Sequence, residues 1–214
     1  MTTLLLIRHG ESAANRAEVF AGNYDAELLE HGFVQARCSA KYIKENYNVT
    51  KVFASDLHRA YHTGKCVADE FGLEVIKSAK LREISAGKWD GVSFEEIYKN
   101  WPDEFTTWMN DLAHGSCPGG ETVSELGERV FGELGRIASE NEGETIVIAT
   151  HATPVRVSYT MAKHGSVEKI DENPWPSNAS VSVLYYDGGK WSCGGYSIDE
   201  HMGELRTFLP EDVE

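Results

Sequence analysis

Leu4-Leu5-Leu6-Ile7-Arg8-His9-Gly10-Glu11-Ser12 is the stretch on which the fold turns. Four consecutive branched apolar residues, stopped by a cation, an imidazole and a glycine, read as a buried strand, Leu4–Arg8, that ends in a turn. An open α/β sheet binds ligands beyond the carboxyl ends of its strands, so this turn lies where a ligand would sit. The same logic recurs along the chain. Lys51–Ala54 is a short strand closing on Ser55, Leu73–Lys77 is another, and Thr145–Thr150 runs into His151. Between them, apolar residues recur at helical spacing over Glu30–Tyr47, with Phe33, Val34, Ala40 and Ile43 on the buried side. Leu57–Phe71 is helical, as is Thr122–Glu140, where Leu126, Val130, Leu134 and Ile137 share a face. Thr122 with Glu125 fits a capping box. Phe94–Asn110 is helical with a break near Pro102, and a last helix opens at Pro154, where proline is well tolerated. Val181–Tyr186 and Lys190–Ser197, joined by Asp187-Gly188-Gly189, form a hairpin. Strands that alternate with helices predict an α/β fold: one three-layer domain over residues 1–214, its central sheet mostly parallel and covered by helices on both faces.

A chain of 214 residues is long enough to bury a real core. Its formal net charge of −14 argues against nucleic acid or an anionic membrane as partner. The apolar runs are too short to span a bilayer, and Met1-Thr2-Thr3-Leu4 carries no leader-like pattern, so a cytoplasmic protein is expected. Cys38, Cys66, Cys117 and Cys193 are dispersed and read as reduced thiols.

Three segments carry candidate chemistry: Arg8 with His9, Arg59 in Ser55-Asp56-Leu57-His58-Arg59, and His151 in Ala149-Thr150-His151. In a parallel sheet they converge on one rim. Two guanidiniums and two imidazoles around one point make a pocket for a phosphoryl group. Glu83, in Leu81-Arg82-Glu83-Ile84, adds a carboxylic acid. The acidic surface does not forbid an anionic ligand, because charges beyond about 8 Å are largely screened at physiological salt. His58 and His62 have metal-ligand spacing, but Arg59 stands where a metalloprotease helix carries glutamate and no third ligand accompanies them. Neither a metal nor a cofactor is expected.

Taken together, the chain resembles the histidine phosphatase superfamily, the phosphoglycerate-mutase-like proteins. The resemblance rests on Arg8-His9-Gly10-Glu11-Ser12 with Asn15, on Asp25, Leu28, Gly32 and Gln35-Ala36, and on Ser55, Leu57, Arg59-Ala60 and Thr63. It continues through Leu81, Glu83, Gly87 and Trp89-Asp90-Gly91, then Pro118-Gly119-Gly120-Glu121-Thr122, and ends at Thr150-His151. It implies His9 as a nucleophile that becomes phosphohistidine. Arg8, Arg59 and His151 would hold the phosphate oxygens, with Asn15 and Ser12 as further donors. Glu83 would protonate the leaving oxygen and then activate water. An insertion over about residues 93–120, which contains Tyr98, Trp101 and Trp108, would cover the site; Trp89, Trp101 and Trp108 otherwise read as core or packing residues, and Glu121 would reach the pocket.

Two departures refine the expected activity. The acid phosphatase and phytase branch takes its proton donor from an aspartate after the second histidine; here Ala152 stands there, so the donor must come from elsewhere, in line with the role that the resemblance gives Glu83. Mutases resemble Glu-Arg-x-Tyr-Gly where this chain has Glu83-Ile84-Ser85-Ala86-Gly87, and residues 93–120 contain no arginine to hold a second anionic group. A phosphatase acting on a small phosphorylated metabolite is therefore expected over a phosphoglycerate mutase or a non-catalytic phosphate-binding module. A homodimer is compatible with all three. The aromatic and acidic insertion, with Glu95, Glu96, Asp103, Glu104 and Asp111 against the single Lys99, favours a neutral or partly apolar leaving group.

Overall fold

A computed structural model describes residues 1–207. Its first strand, β1 (Thr2–Arg8), is followed by a one-turn helix α1 (Ala13–Arg16), a two-residue strand β2 (Val19–Phe20) and the long helix α2 (Glu30–Asn46). Strand β3 (Lys51–Ala54), helix α3 (His58–Phe71) and strand β4 (Val75–Lys77) complete the first half. The second half begins with β5 (Val92–Ser93), α4 (Phe94–Asn100), α5 (Pro102–Asn110) and α6 (Val123–Glu140). It continues with β6 (Thr145–Thr150), α7 (Ala152–His164) and the hairpin β7 (Val181–Asp187) and β8 (Lys190–Cys193).

Six strands form the central sheet in the order β4-β3-β6-β1-β7-β8. β1, β3, β4 and β6 run parallel, and the β7–β8 hairpin adds an antiparallel edge beside β1. Successive strand residues face opposite sides. Leu4 and Leu6 accordingly pack with Leu126, Val130 and Leu134 of α6 and Val157 of α7, whereas Leu5 and Ile7 pack with Ile43 of α2 and Val67 of α3. This gives the three layers, and it explains why the strand sequence is continuously apolar instead of alternating. The carboxyl ends of the neighbouring strands β3, β6 and β1 thus deliver Ser55, His151 and His9 to one rim.

Several expectations need correction. The buried face of α2 is Gly32, Gln35, Ala36, Ser39, Ala40 and Ile43, with Phe33 and Val34 only half-buried. Small and hydrogen-bonded residues occupy it because the chain crosses closely there: a Cβ on Gly32 would lie 2.2 Å from the Glu11 carbonyl. Helix α7 begins at Ala152 with His151 as its N-cap, two residues ahead of Pro154. Strand β8 stops at Cys193 instead of Ser197. A two-stranded ribbon, β2 with β5, occupies what reads as a polar loop. The capping box of α6 is present, as is the break that Pro102 makes between α4 and α5.

The α6 face carries much of the packing, and Leu134 on it is fully buried. Leu134→Ala should destabilise the protein by about 2–5 kcal/mol, the range for leucine truncation in a close-packed core. A fall in the urea midpoint at unchanged m-value would report it; a loss below about 1 kcal/mol would contradict the packing described.

Candidate active site

The rim is tied together through its backbone. His9 N–H donates to the Thr150 carbonyl at 2.9 Å, and Ser55 N–H donates to Ala149 at 2.9 Å. The turn after β1 is tight, since a Cβ on Gly10 would lie 2.3 Å from the Gly32 carbonyl. Its amide donates to Thr63 Oγ1 at 3.1 Å, and Thr63 in turn donates to the Arg59 carbonyl at 2.8 Å. The rings of His9 and His151 meet edge-on, their centroids 5.2 Å apart.

His9 Nδ1 lies 2.7 Å from the Gly10 carbonyl oxygen. A carbonyl only accepts, so the proton sits on Nδ1 and Nε2 keeps a bare lone pair. Burial drives His9 well below the usual 6.5, and Arg59 and Arg8 push in the same direction. His151 is lowered likewise, by burial first and then by Arg59. Its Nε2 pairs with Ser55 Oγ at 2.9 Å, while Nδ1 is buried without a partner among the described residues. Ser55 Oγ also accepts the Leu57 N–H at 3.4 Å.

Both guanidiniums are buried and held by carbonyl oxygens, not by carboxylates. Arg59 donates from Nη1 to Tyr24 and from Nη2 to Gly22, each at 2.8 Å, and Arg8 donates from Nη1 to Pro176. Burial lowers both to about 10, which leaves them charged at neutral pH. The Nε of each has no partner among the described residues.

Glu83 is also buried, and burial raises its carboxyl above the usual 4.5 despite N–H donors from Ile84 at 2.9 Å and Thr153 at 3.3 Å. Its loop hangs on Arg129, which donates to the carbonyls of Lys80, Arg82 and Glu83 at 3.0, 3.2 and 3.1 Å. Arg129 grips both carboxylate oxygens of Glu121 at 2.7 Å. Glu121 also accepts the Ser85 N–H, so its side chain is committed to this brace and does not line the cavity, contrary to expectation.

Arg8, His9, Asn15, Arg59, Glu83 and Thr153 line a cavity of about 380 Å³ whose walls are Phe20, Phe94, Phe105, Trp108, Met109 and Trp175. Asn15 reaches it, with Oδ1 accepting from Ser12 N and Oγ at 3.0 and 2.9 Å. Ser12 does not line the cavity; it caps α1, and its hydroxyl is spent on Asn15. Of the insertion's Tyr98, Trp101 and Trp108, Trp108 lines the cavity, Trp101 packs against the core outside the lining, and Tyr98 is 60% exposed. His58 pairs with Asp25 and Glu27, and His62 packs against Phe33. Sequence reading missed Arg129 and also Asn178, whose Nδ2 donates to the His9 carbonyl at 3.1 Å. Neither stands in a motif, and Asn178 is 169 residues from its partner.

These shifts have a measurable consequence. Above the ordinary value of 6.5 the folded and unfolded chains both hold His9 and His151 neutral, so their stabilising contribution is complete. As pH falls through it, the unfolded chain takes up two protons that the folded one refuses, costing up to about 2.7 kcal/mol per pH unit. Glu83 has the opposite sign: it stabilises below its ordinary 4.5 and loses this as pH rises through its raised folded value. Between those limits it offsets one of the two protons. Urea unfolding from pH 7 to 5 should therefore show falling stability, with a shallower slope in His9→Ala; equal slopes would contradict the assigned protonation.

Comparison with known proteins agrees with this geometry. The family profile of the histidine phosphatase superfamily (branch 1) matches residues 4–199. Phosphoserine phosphatase 1 of Hydrogenobacter thermophilus is 30% identical over 208 residues, covering 96% of this chain and 96% of that protein. Phosphoglycerate mutase-like protein 4 of Arabidopsis thaliana is 32% identical over 206 residues, covering 94% and 87% respectively. The solved structure of Bacillus stearothermophilus YhfR superposes with a TM-score of 0.88 at 26% identity, over 94% of this chain and 100% of that one. With the family profile running from β1 past the β7–β8 hairpin, this chain belongs to the histidine phosphatase superfamily and is an enzyme of phosphomonoester hydrolysis.

Proposed function

We propose that the protein hydrolyses a small phosphorylated metabolite in two steps, through a phosphoryl group carried on His9 Nε2. The observation that carries this reading is three buried polar atoms without partners, Arg8 Nε, Arg59 Nε and His151 Nδ1, around the one imidazole whose lone pair is free. An unpaired buried donor costs about 1–3 kcal/mol; Arg8 and Arg59 line the cavity, where a phosphate's oxygens would relieve them, while His151 is outside the lining with its ring edge-on to His9. Asn15 supplies a further contact from the cavity wall.

In the first step Nε2 forms a bond to phosphorus as the ester P–O bond breaks. The departing oxygen takes the Glu83 proton, and the Nδ1–H to Gly10 bond steadies the charge growing on the ring. The guanidiniums and His151 balance the charge spread over the equatorial oxygens, the work that Mg²⁺ does in many phosphoryl-transfer enzymes. In the second step the Glu83 carboxylate takes a proton from water, whose oxygen bonds to phosphorus as the P–Nε2 bond breaks, releasing phosphate and neutral His9. Burial keeps Glu83 protonated to a higher pH than an ordinary carboxyl, as its first role requires.

Hydrolysis is favoured over mutase transfer because Arg8 and Arg59 are the only cations among the described lining residues, and both serve the phosphate. The segment 93–120 acts as the lid. Among the described residues no helix is long and apolar enough to cross a membrane; we place the protein in the cytoplasm, away from nucleic acid given its charge of −14.

Quenched turnover should trap an acid-labile, base-stable phosphoenzyme at His9, and His9→Ala should lose at least about a thousandfold in kcat/KM. Chelators should leave the rate unchanged. Glu83→Gln should slow an alkyl phosphate by about 10²–10⁴, yet barely affect an activated dinitrophenyl ester that needs no proton. A phosphoenzyme persisting in His9→Ala would overturn the mechanism.

A further inference from the structure

We propose that the alcohol part of the substrate is apolar and bears no carboxylate, and that Glu18 at the cavity rim enforces this choice. The inference rests on the hydrolytic reading above and names its substrate class. Once the phosphate takes the cradle of Arg8, Arg59 and His9, the rest of the roughly 380 Å³ cavity is walled by Phe94, Phe105, Trp108, Met109 and Trp175. That is a surface for burying hydrocarbon, with room beyond a phosphate's own.

The charge pattern sharpens the point. Beyond the cradle and Glu83, Glu18 is the one charged residue among the described lining. It sits at φ +52°, a left-handed backbone that side chains other than glycine, asparagine and aspartate rarely adopt. Two backbone bonds pin it there: its N–H donates to Asn15 at 3.2 Å, and Phe94 N–H donates to its carbonyl at 3.1 Å. The backbone of this exposed lining residue is thus fixed at the cavity at some conformational cost.

The nearest rival cation does not answer it. Arg156 stacks on Trp175 at 4.2 Å but is buried behind the wall, bonded to the carbonyls of Asn173 and Ile170 and to Asp171. It does not line the cavity. A carboxylate on the leaving group would therefore lose its water against aromatic rings, find no counter-charge, and face Glu18.

The test compares kcat/KM for 2-phenylethyl phosphate, 3-phosphoglycerate, phosphoserine and phosphoethanolamine, all alkyl esters, so that leaving-group basicity does not dominate. We expect 2-phenylethyl phosphate to lead each of the others by about tenfold or more. Glu18→Gln, which keeps the side-chain length, should raise the ratio for 3-phosphoglycerate over 2-phenylethyl phosphate by about three- to tenfold. Met109→Ala, at an exposed wall position, should lower the ratio for 2-phenylethyl phosphate over ethyl phosphate by about fivefold. Phosphoserine or 3-phosphoglycerate matching the aryl-alkyl ester would overturn the proposal. So would a lead for phosphoethanolamine, which would make Glu18 an ammonium acceptor, or an unmoved ratio in Glu18→Gln. Hydrolysis of none of the four would instead overturn the phosphatase reading itself.

Discussion

A single hydrogen bond, from His9 Nδ1 to the carbonyl of the next residue, underlies the rest of the site. At 2.7 Å it fixes the ring's tautomer and leaves the lone pair on the far nitrogen. The bond requires the chain to turn sharply after β1, and the turn requires Gly10 and Gly32 to touch, since a Cβ on either would enter the other's segment. Burying β1 on both faces holds the turn in place. Packing, backbone and imidazole are thus one device: the layers fix the strand, the strand aims the turn, and the turn sets the proton.

Electrostatics then follow from what surrounds that ring. Two buried guanidiniums without a carboxylate clamp of their own lie beside two imidazoles that stay neutral. Pairing either arginine with an aspartate would have cancelled the field that a phosphoryl oxygen needs. Carbonyl oxygens of Gly22, Tyr24 and Pro176 orient the cations while leaving their charge uncompensated. A chain with net charge −14 can hold such a centre because the field that matters is local. Glu83 shares the same interior, and burial raises its carboxyl while lowering the imidazoles, so one buried environment shifts both groups toward their neutral forms.

Much of this was legible in the sequence, and the reasons are specific. The run Leu4–Ile7 reads as a doubly buried strand because nothing else explains four apolar residues ending in Arg8-His9-Gly10. His151 follows from the same position, just past a strand, Arg59 from the helix start after β3, and Glu83 from the loop after β4. The α2 face was misread because its buried residues are glycine, glutamine and serine, whose burial depends on partners such as Glu11 and Ala179 that no periodicity encodes. Ser12 looked like a phosphate donor because an exposed turn and a helix cap have the same local pattern. Arg129 and Asn178 were invisible for a related reason: they act by donating to backbone carbonyls, which any side chain with an N–H or O–H donor can do.

The protonation state of one ring decides whether this account holds. Nitrogen-15 spectra of histidine-labelled protein, followed from pH 8 to pH 5, resolve both nitrogens of His9 directly. Burial and the two arginines predict a ring that stays neutral, and the bond to Gly10 predicts its proton on Nδ1, with the resonance of a bare nitrogen at Nε2. A ring that picks up its second proton near 6.5, or one whose hydrogen resides on Nε2, would contradict it.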